Sequence, residues 1–256
     1  MLLLYYNQAM KHRVNIIFFL LLCTAAGFGV SRISFSGSMK IGSSFSIIIF
    51  ALPAIVALYK WLGLTRALIL FIVLSLLAYL FESVSIITGY PYGLFTYNNS
   101  MAYKLLDIVP WNVPFAWIPS LIGCVALAKR YSSSFVKQLI IASLLLVLFD
   151  LLLDPAAVKL GFWTWQNPGW YYQIPVTNYF GWVFSGAIGS AAVLSFGKKL
   201  DEVPVSAVLG FLSILFFWTA AAISLSLVIP VLVGINLIIV TGRNYLSNTS
   251  TNNRNN

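Results

Sequence analysis

The chain has 256 residues, 60% of them hydrophobic and 16% aromatic with 8% charged, and a mean hydropathy of +0.92. That composition is too apolar for a water-soluble fold and leaves a multi-pass membrane protein as the class. The net charge of +9 reads as a topology signal plus attraction to anionic headgroups, and the basic patch that nucleic acid would require is missing.

In chain order, Lys11-His12-Arg13 precedes an apolar run at 14–30. No small-x-small cleavage site follows, so the run is expected to be a first span rather than a secretory signal. Further apolar stretches near 43–59, 67–87, 112–128, 138–154 and 176–196 each approach the roughly 20 residues that a helical span needs. The run at 203–240 would exceed roughly 50 Å as one helix at about 1.5 Å per residue, so two spans are expected there. The fold class that follows is an all-α transmembrane bundle of eight helices, with seven as the alternative, forming a single integral-membrane domain over residues 1–242. Residues 243–256, rich in Asn, Ser and Thr, are expected to form a disordered polar tail.

Cytoplasmic loops carry the excess of Lys and Arg. With the N-terminus inside, Lys11, Arg13, Lys60, Arg66, Lys129, Arg130, Lys137, Lys198 and Lys199 fall on one side, against Arg32, Lys40, Lys104 and Lys159 on the other. The chain is therefore expected in the cell membrane with a cytoplasmic N-terminus. Cys23 and Cys124 lie in predicted helices and read as small buried hydrophobes. His12 is the only histidine and lies outside the first span, which excludes haem or di-iron chemistry built on several histidines.

Only six residues are acidic, and three of these, Glu82, Asp150 and Asp154, fall in or at the ends of apolar runs. An aspartate at the centre of a membrane helix costs roughly 2.5 to 3.5 kcal/mol on insertion scales, so these positions point to function. Asp150 and Asp154 are spaced i, i+4 and share one helical face. Two carboxyls in a low-dielectric bundle cannot both ionise cheaply, so at least one is expected to stay protonated near neutral pH and to be available as a general acid. The structural alternative is pairing with Arg or Lys across helices or capping of a loop.

Two segments between helices, on the side opposite the basic loops, are crowded with aromatics, glycine and proline. The first is Gly89-Tyr90-Pro91-Tyr92-Gly93-Leu94-Phe95-Thr96-Tyr97, and the second is Gly161-Phe162-Trp163-Thr164-Trp165, continuing through Pro168-Gly169-Trp170-Tyr171-Tyr172. An aromatic belt at the headgroups accounts for part of this, and a pocket lining accounts for the rest. The spacing also echoes. Glu82 precedes Gly89 by seven residues, as Asp154 precedes Gly161; Val113-Pro114 then leads to Trp117, and Ile174-Pro175 to Trp182. A parallel repeat about an axis along the membrane normal would bring Glu82 and Asp154 face to face.

These residues resemble the carotenoid biosynthesis protein family, which includes carotenoid 1,2-hydratases of the bacterioruberin and related acyclic pathways. The resemblance covers roughly 79–185. It begins with Glu82 ahead of Gly89-Tyr90-Pro91-Tyr92-Gly93 and the stretch from Val113-Pro114 to Trp117-Ile118-Pro119. It is strongest in Asp150-x-x-x-Asp154-Pro155, Gly161-x-Trp163-x-Trp165, Tyr171-Tyr172-x-Ile174-Pro175 and Asn178-x-x-Gly181-Trp182. The family pattern usually has glycine where this chain has Gln173, a departure that bears on the substrate more than on the chemistry.

The resemblance implies hydration of the terminal C1–C2 double bond of an acyclic carotenoid to a tertiary alcohol, with no redox cofactor and no metal. The substrate would be a long apolar polyene taken from the bilayer; membrane lipid and other carotenoid-pathway enzymes are the further partners. On that reading Asp154 and Glu82 are the acid and base in either order, and Asp150 tunes or substitutes. Asn178 holds water or a carboxyl, and Trp163, Trp165 and Trp182 shape a cation pocket. Tyr92, Trp117 and Tyr172 complete the substrate-binding set.

Two rivals stay open. Ion-coupled transport also uses membrane carboxylates near broken helices, and Pro53, Pro114, Pro119 and Pro230 are candidate interrupters; however, Glu82 and Asp154 are placed near the outer ends of their helices rather than at the midplane. Another intramembrane isoprenoid enzyme is the second, although prenyl transfer wants two clustered acidic motifs for magnesium diphosphate.

Overall fold

The computed structural model describes residues 2–33, 40–99, 101–197 and 203–252. Eight helices run through them: α1 (Leu2–Val30), α2 (Lys40–Leu62), α3 (Leu64–Thr88), α4 (Val113–Tyr131), α5 (Phe135–Lys159), α6 (Val176–Phe196), α7 (Val205–Ser224) and α8 (Val228–Asn252). Among the described residues, seven are long and apolar enough to cross a membrane, and the shorter apolar stretch Ile47–Leu62 belongs to α2. The run at 203–240 divides as expected. α7 ends at Ser224, Ser226 turns with φ of 56°, and Pro230 sits in the first turn of α8, where a missing N–H leaves no helical bond unmade. α8 stays helical to Asn252, past position 243 where composition alone placed the start of a polar tail.

In a bilayer, helices gain little from hiding apolar side chains from one another, so close approach of small residues matters more. α7 is packed on by α1, α2, α4 and α8; Gly27 lets α1 approach Phe217 and Ala220, and Gly210 lets α7 approach Ala54 on α2. Phe149 and Phe211 meet edge to face at 5.6 Å in the middle of the bundle. Leu68, Ile72, Leu76 and Leu80 line the outer side of α3 and are exposed, as lipid-facing residues should be.

The segments between helices are not free loops. β1 (Phe95–Tyr97) pairs antiparallel with β4 (Trp163–Trp165), setting Phe95 opposite Trp165, Thr96 opposite Thr164 and Tyr97 opposite Trp163. A second small ribbon joins β2 (Lys104–Leu105) to β3 (Val109–Pro110). The β1–β4 ribbon spans the ends of α3 and α5, and the Ser31 and Ser224 hydroxyls, 2.6 Å apart, hold the ends of α1 and α7 together. At the other end of the bundle Lys129 stands 5.4 Å from the Trp61 ring centroid, and Arg130 donates to the Asn244 carbonyl at 2.6 Å.

Two backbone features set the acid-bearing helices. Gly89 caps α3 in the left-handed region at φ 82°, and Gly161, just beyond α5, has φ 72°; a side chain at either would be strained. Pro155 lies inside α5 and has no N–H for the Leu151 carbonyl one turn back. The Tyr171 hydroxyl donates to that carbonyl at 2.9 Å, so the helix continues beside Asp154 with the gap in its ladder closed by a side chain.

Candidate functional site

On the first arm, α3 presents Glu82 and β1 presents Tyr97, whose hydroxyl donates to Glu82 Oε2 at 2.8 Å. Burial first, and then the charge of Glu82, hold the Tyr97 phenol well above its ordinary value, so it remains an O–H donor. The turn between them is pinned on both sides. The Tyr92 N–H donates to Ser85 Oγ at 2.9 Å, and Thr177 Oγ1 on α6 donates to the Tyr92 carbonyl at 3.1 Å. α6 can lie this close because position 181 is glycine; a Cβ there would strike the Tyr92 ring and the Pro91 carbonyl.

On the second arm, the i, i+4 spacing does bring Asp150 and Asp154 together, and α6 supplies the group that joins them. Asn178 Nδ2 donates to Asp150 Oδ2 and to Asp154 Oδ2, each at 2.7 Å. An amide nitrogen has two hydrogens, and both are used here. All three side chains are buried, and Asp150 Oδ1 is left without a hydrogen-bond partner among the described residues.

The two arms open on one cavity of about 590 Å³. Glu82, Asp154 and Asn178 line it, with Tyr92, Trp117, Trp163, Trp165 and Trp182 around them. Glu82 and Asp154 therefore share a cavity, as the parallel echo required. Asp150 does not line it and stands behind Asn178. Tyr172 does not line it either; its ring packs perpendicular to Tyr171 at 4.8 Å. The indole N–H groups of Trp117 and Trp165 are buried and unbonded among the described residues.

Several lining residues were not singled out as site residues in the sequence. Tyr97 closes the first aromatic run, and the period of two in a strand would set it on one face with Phe95, but four residues between Gly93 and Asn98 give too little pattern to declare a strand. Phe217 and Trp218 reach the cavity from α7, which carries no local signal beyond hydrophobicity. Gln173 lies outside the lining. Its φ is 70°, and that of Tyr172 is 46°, so a glycine at 173 would answer a backbone demand of the turn, not a demand of the cavity wall.

A protein-family model described as carotenoid biosynthesis protein matches residues 42–241, most of the chain. A curated protein of Haloarcula japonica, described as bisanhydrobacterioruberin hydratase, is 34% identical over 164 residues, which is 62% of this chain and 54% of that protein. The chain thus spans about half the length of that relative. No solved structure matches it.

Proposed function

We propose that this chain, which belongs to the carotenoid biosynthesis protein family, is a hydro-lyase that adds water across the terminal C1–C2 double bond of an acyclic carotenoid. The observation that carries the reading is the pairing of Glu82 on Tyr97 with Asp154 on Asn178 in one otherwise apolar, aromatic-lined cavity. The name of the Haloarcula japonica relative points the same way.

Hydration of a trisubstituted alkene starts with a proton delivered to the less substituted carbon. Two carboxyls that meet at one amide nitrogen hold a proton between them more cheaply than two charges, and Asp154 is the member that faces the cavity. Asp154 gives its proton to C2, and the π electrons form the new C–H bond and leave a tertiary cation at C1. The indole faces of Trp163, Trp165 and Trp182 stabilise that cation by roughly 0.5 to 2 kcal/mol each. Water attacks C1 and passes a proton to Glu82, which Tyr97 holds in position. Proton return from Glu82 to the aspartate pair restores the resting state, and the product is heavier than the substrate by one water. Asp150 acts through Asn178 and Asp154 as a positioning residue. The basic residues gathered at the end opposite the β1–β4 ribbon support a cytoplasmic N-terminus.

The test is expression in cells that accumulate lycopene or another acyclic carotenoid, beside the Asp154→Asn variant, with pigments resolved by chromatography and mass. Hydrated pigment with the parent chain and none with the variant is expected. Unchanged pigment across several acyclic substrates, with the protein well expressed, overturns the reading.

A further inference from the structure

The proton-transfer steps use one side of the cavity, and the opposite side is apolar. α1 supplies it through Leu22, Ala26 and Gly29, and α2 through Ile49. Leu22 and Ile49 line the cavity and are yet 52% and 55% exposed. The cavity therefore reaches the outer surface of the bundle between these two helices. Leu22 falls near the middle of the span Arg13–Val30, so that surface faces acyl chains and admits what dissolves in them. Among the described residues, nothing stands within 4 Å of a Cβ built on Gly29. α1 lies before the family-matched segment 42–241, whereas Ile49 on α2 and the acids lie within it.

We infer that the gap between α1 and α2 is a lateral portal, and that the Leu22–Gly29 face of α1 holds the length of a linear polyene while one end group reaches Glu82 and Asp154. The identity of the occupant rests on the hydratase reading. The physical basis is continuity: a mouth at acyl-chain depth, an apolar wall and a polar end in a single cavity suit a long hydrocarbon whose reacting end goes in first and whose remainder stays in lipid. Among the described residues, an ion or a water-soluble substrate would meet only apolar side chains at that mouth. A substrate with two equal ends would have to leave and return reversed for the second to react.

Gly29→Trp starts from a Cβ that meets no described neighbour and puts an indole into the cavity mouth, and Ala26→Trp, one turn earlier on the same face, repeats the change if the first variant expresses poorly. Leu21→Trp, on the exposed face outside the cavity lining, is the control. Each protein is purified from membranes containing an acyclic carotenoid, and retained pigment per protein is measured. Hydration of that carotenoid is compared with hydration of a short isoprenoid hydrocarbon bearing the same end group. Gly29→Trp is expected to lower both retention and long-chain hydration by about tenfold and to leave the short substrate within about twofold of the parent, with Leu21→Trp unchanged. Parent-level retention in Gly29→Trp and Ala26→Trp overturns the portal, as does equal loss on long and short substrates, or no retention by the parent chain. Pigment retained by the parent and displaced by Gly29→Trp, with neither substrate hydrated, upholds the portal and overturns the hydratase reading instead.

Discussion

The two arms that build the site share a plan and differ in how they hold their acids. Each runs from an acid to a left-handed glycine seven residues on, then through a short strand to a helix headed by proline, with Pro114 in the first turn of α4 and Pro175 at the cap of α6. The strands meet at Thr96 and Thr164, whose hydroxyls are 3.3 Å apart. Yet the first arm gives Glu82 a single phenolic donor from a strand, whereas the second ties two aspartates to one amide from the facing helix. A common backbone thus carries two different carboxyl environments, as the proposed division into acid and base requires.

The comparison is sharpened most by removing the acids themselves. Asp154→Asn and Glu82→Gln should each lower hydration by about 10³-fold in pigment assays, within the range for general acid–base groups. Near-parent activity in either would break the division of roles. Asn178→Ala leaves two buried carboxyls without their shared donor; a loss of about 10²-fold in activity is expected, with about 1–3 kcal/mol lower stability in thermal or denaturant unfolding. Tyr97→Phe removes one donor from the first arm and should lower kcat by about tenfold with little change in melting temperature. If Tyr97→Phe proves as damaging as Asn178→Ala, the arms are alike in chemistry after all.

Two substitutions address the second arm's backbone alone. Tyr171→Phe uncovers the Leu151 carbonyl beside Pro155 and should cost about 0.5–1.5 kcal/mol of stability, read by thermal unfolding, with hydration within about twofold. Gln173→Gly relieves a left-handed turn at φ 70° and should raise stability by about 0.5–1 kcal/mol. A change in substrate preference with Gln173→Gly would assign that turn a role in the cavity that its position does not suggest.

Much of the arrangement could be read from residue order. The helices follow from apolar runs of bilayer length, because a membrane requires each span to satisfy its own backbone hydrogen bonds. The i, i+4 step put Asp150 and Asp154 on one face, and the matched spacing to Gly89 and Gly161 anticipated that Glu82 and Asp154 would share a cavity. The β1–β4 pairing was not legible, since three-residue strands have no period to detect and their partners lie more than sixty residues apart. Tyr172 was placed in the pocket by its membership of an aromatic run, but its backbone turns at φ 46° and carries the ring onto Tyr171.

By itself, the sequence determined that the chain crosses a membrane, where its helices begin and end to within a few residues except at the start of α1 and the end of α8, and which acids are out of place in lipid. These are local properties, set by transfer energies and by the reach of a helix along its own axis. The tertiary structure alone decided that Asn178 joins the two aspartates, that Tyr97 serves Glu82, that Asp150 stands behind the cavity, and that α1 and α7 complete its apolar wall. Each depends on which faces of separate helices meet, and that choice is made by close packing between residues that sequence distance does not relate.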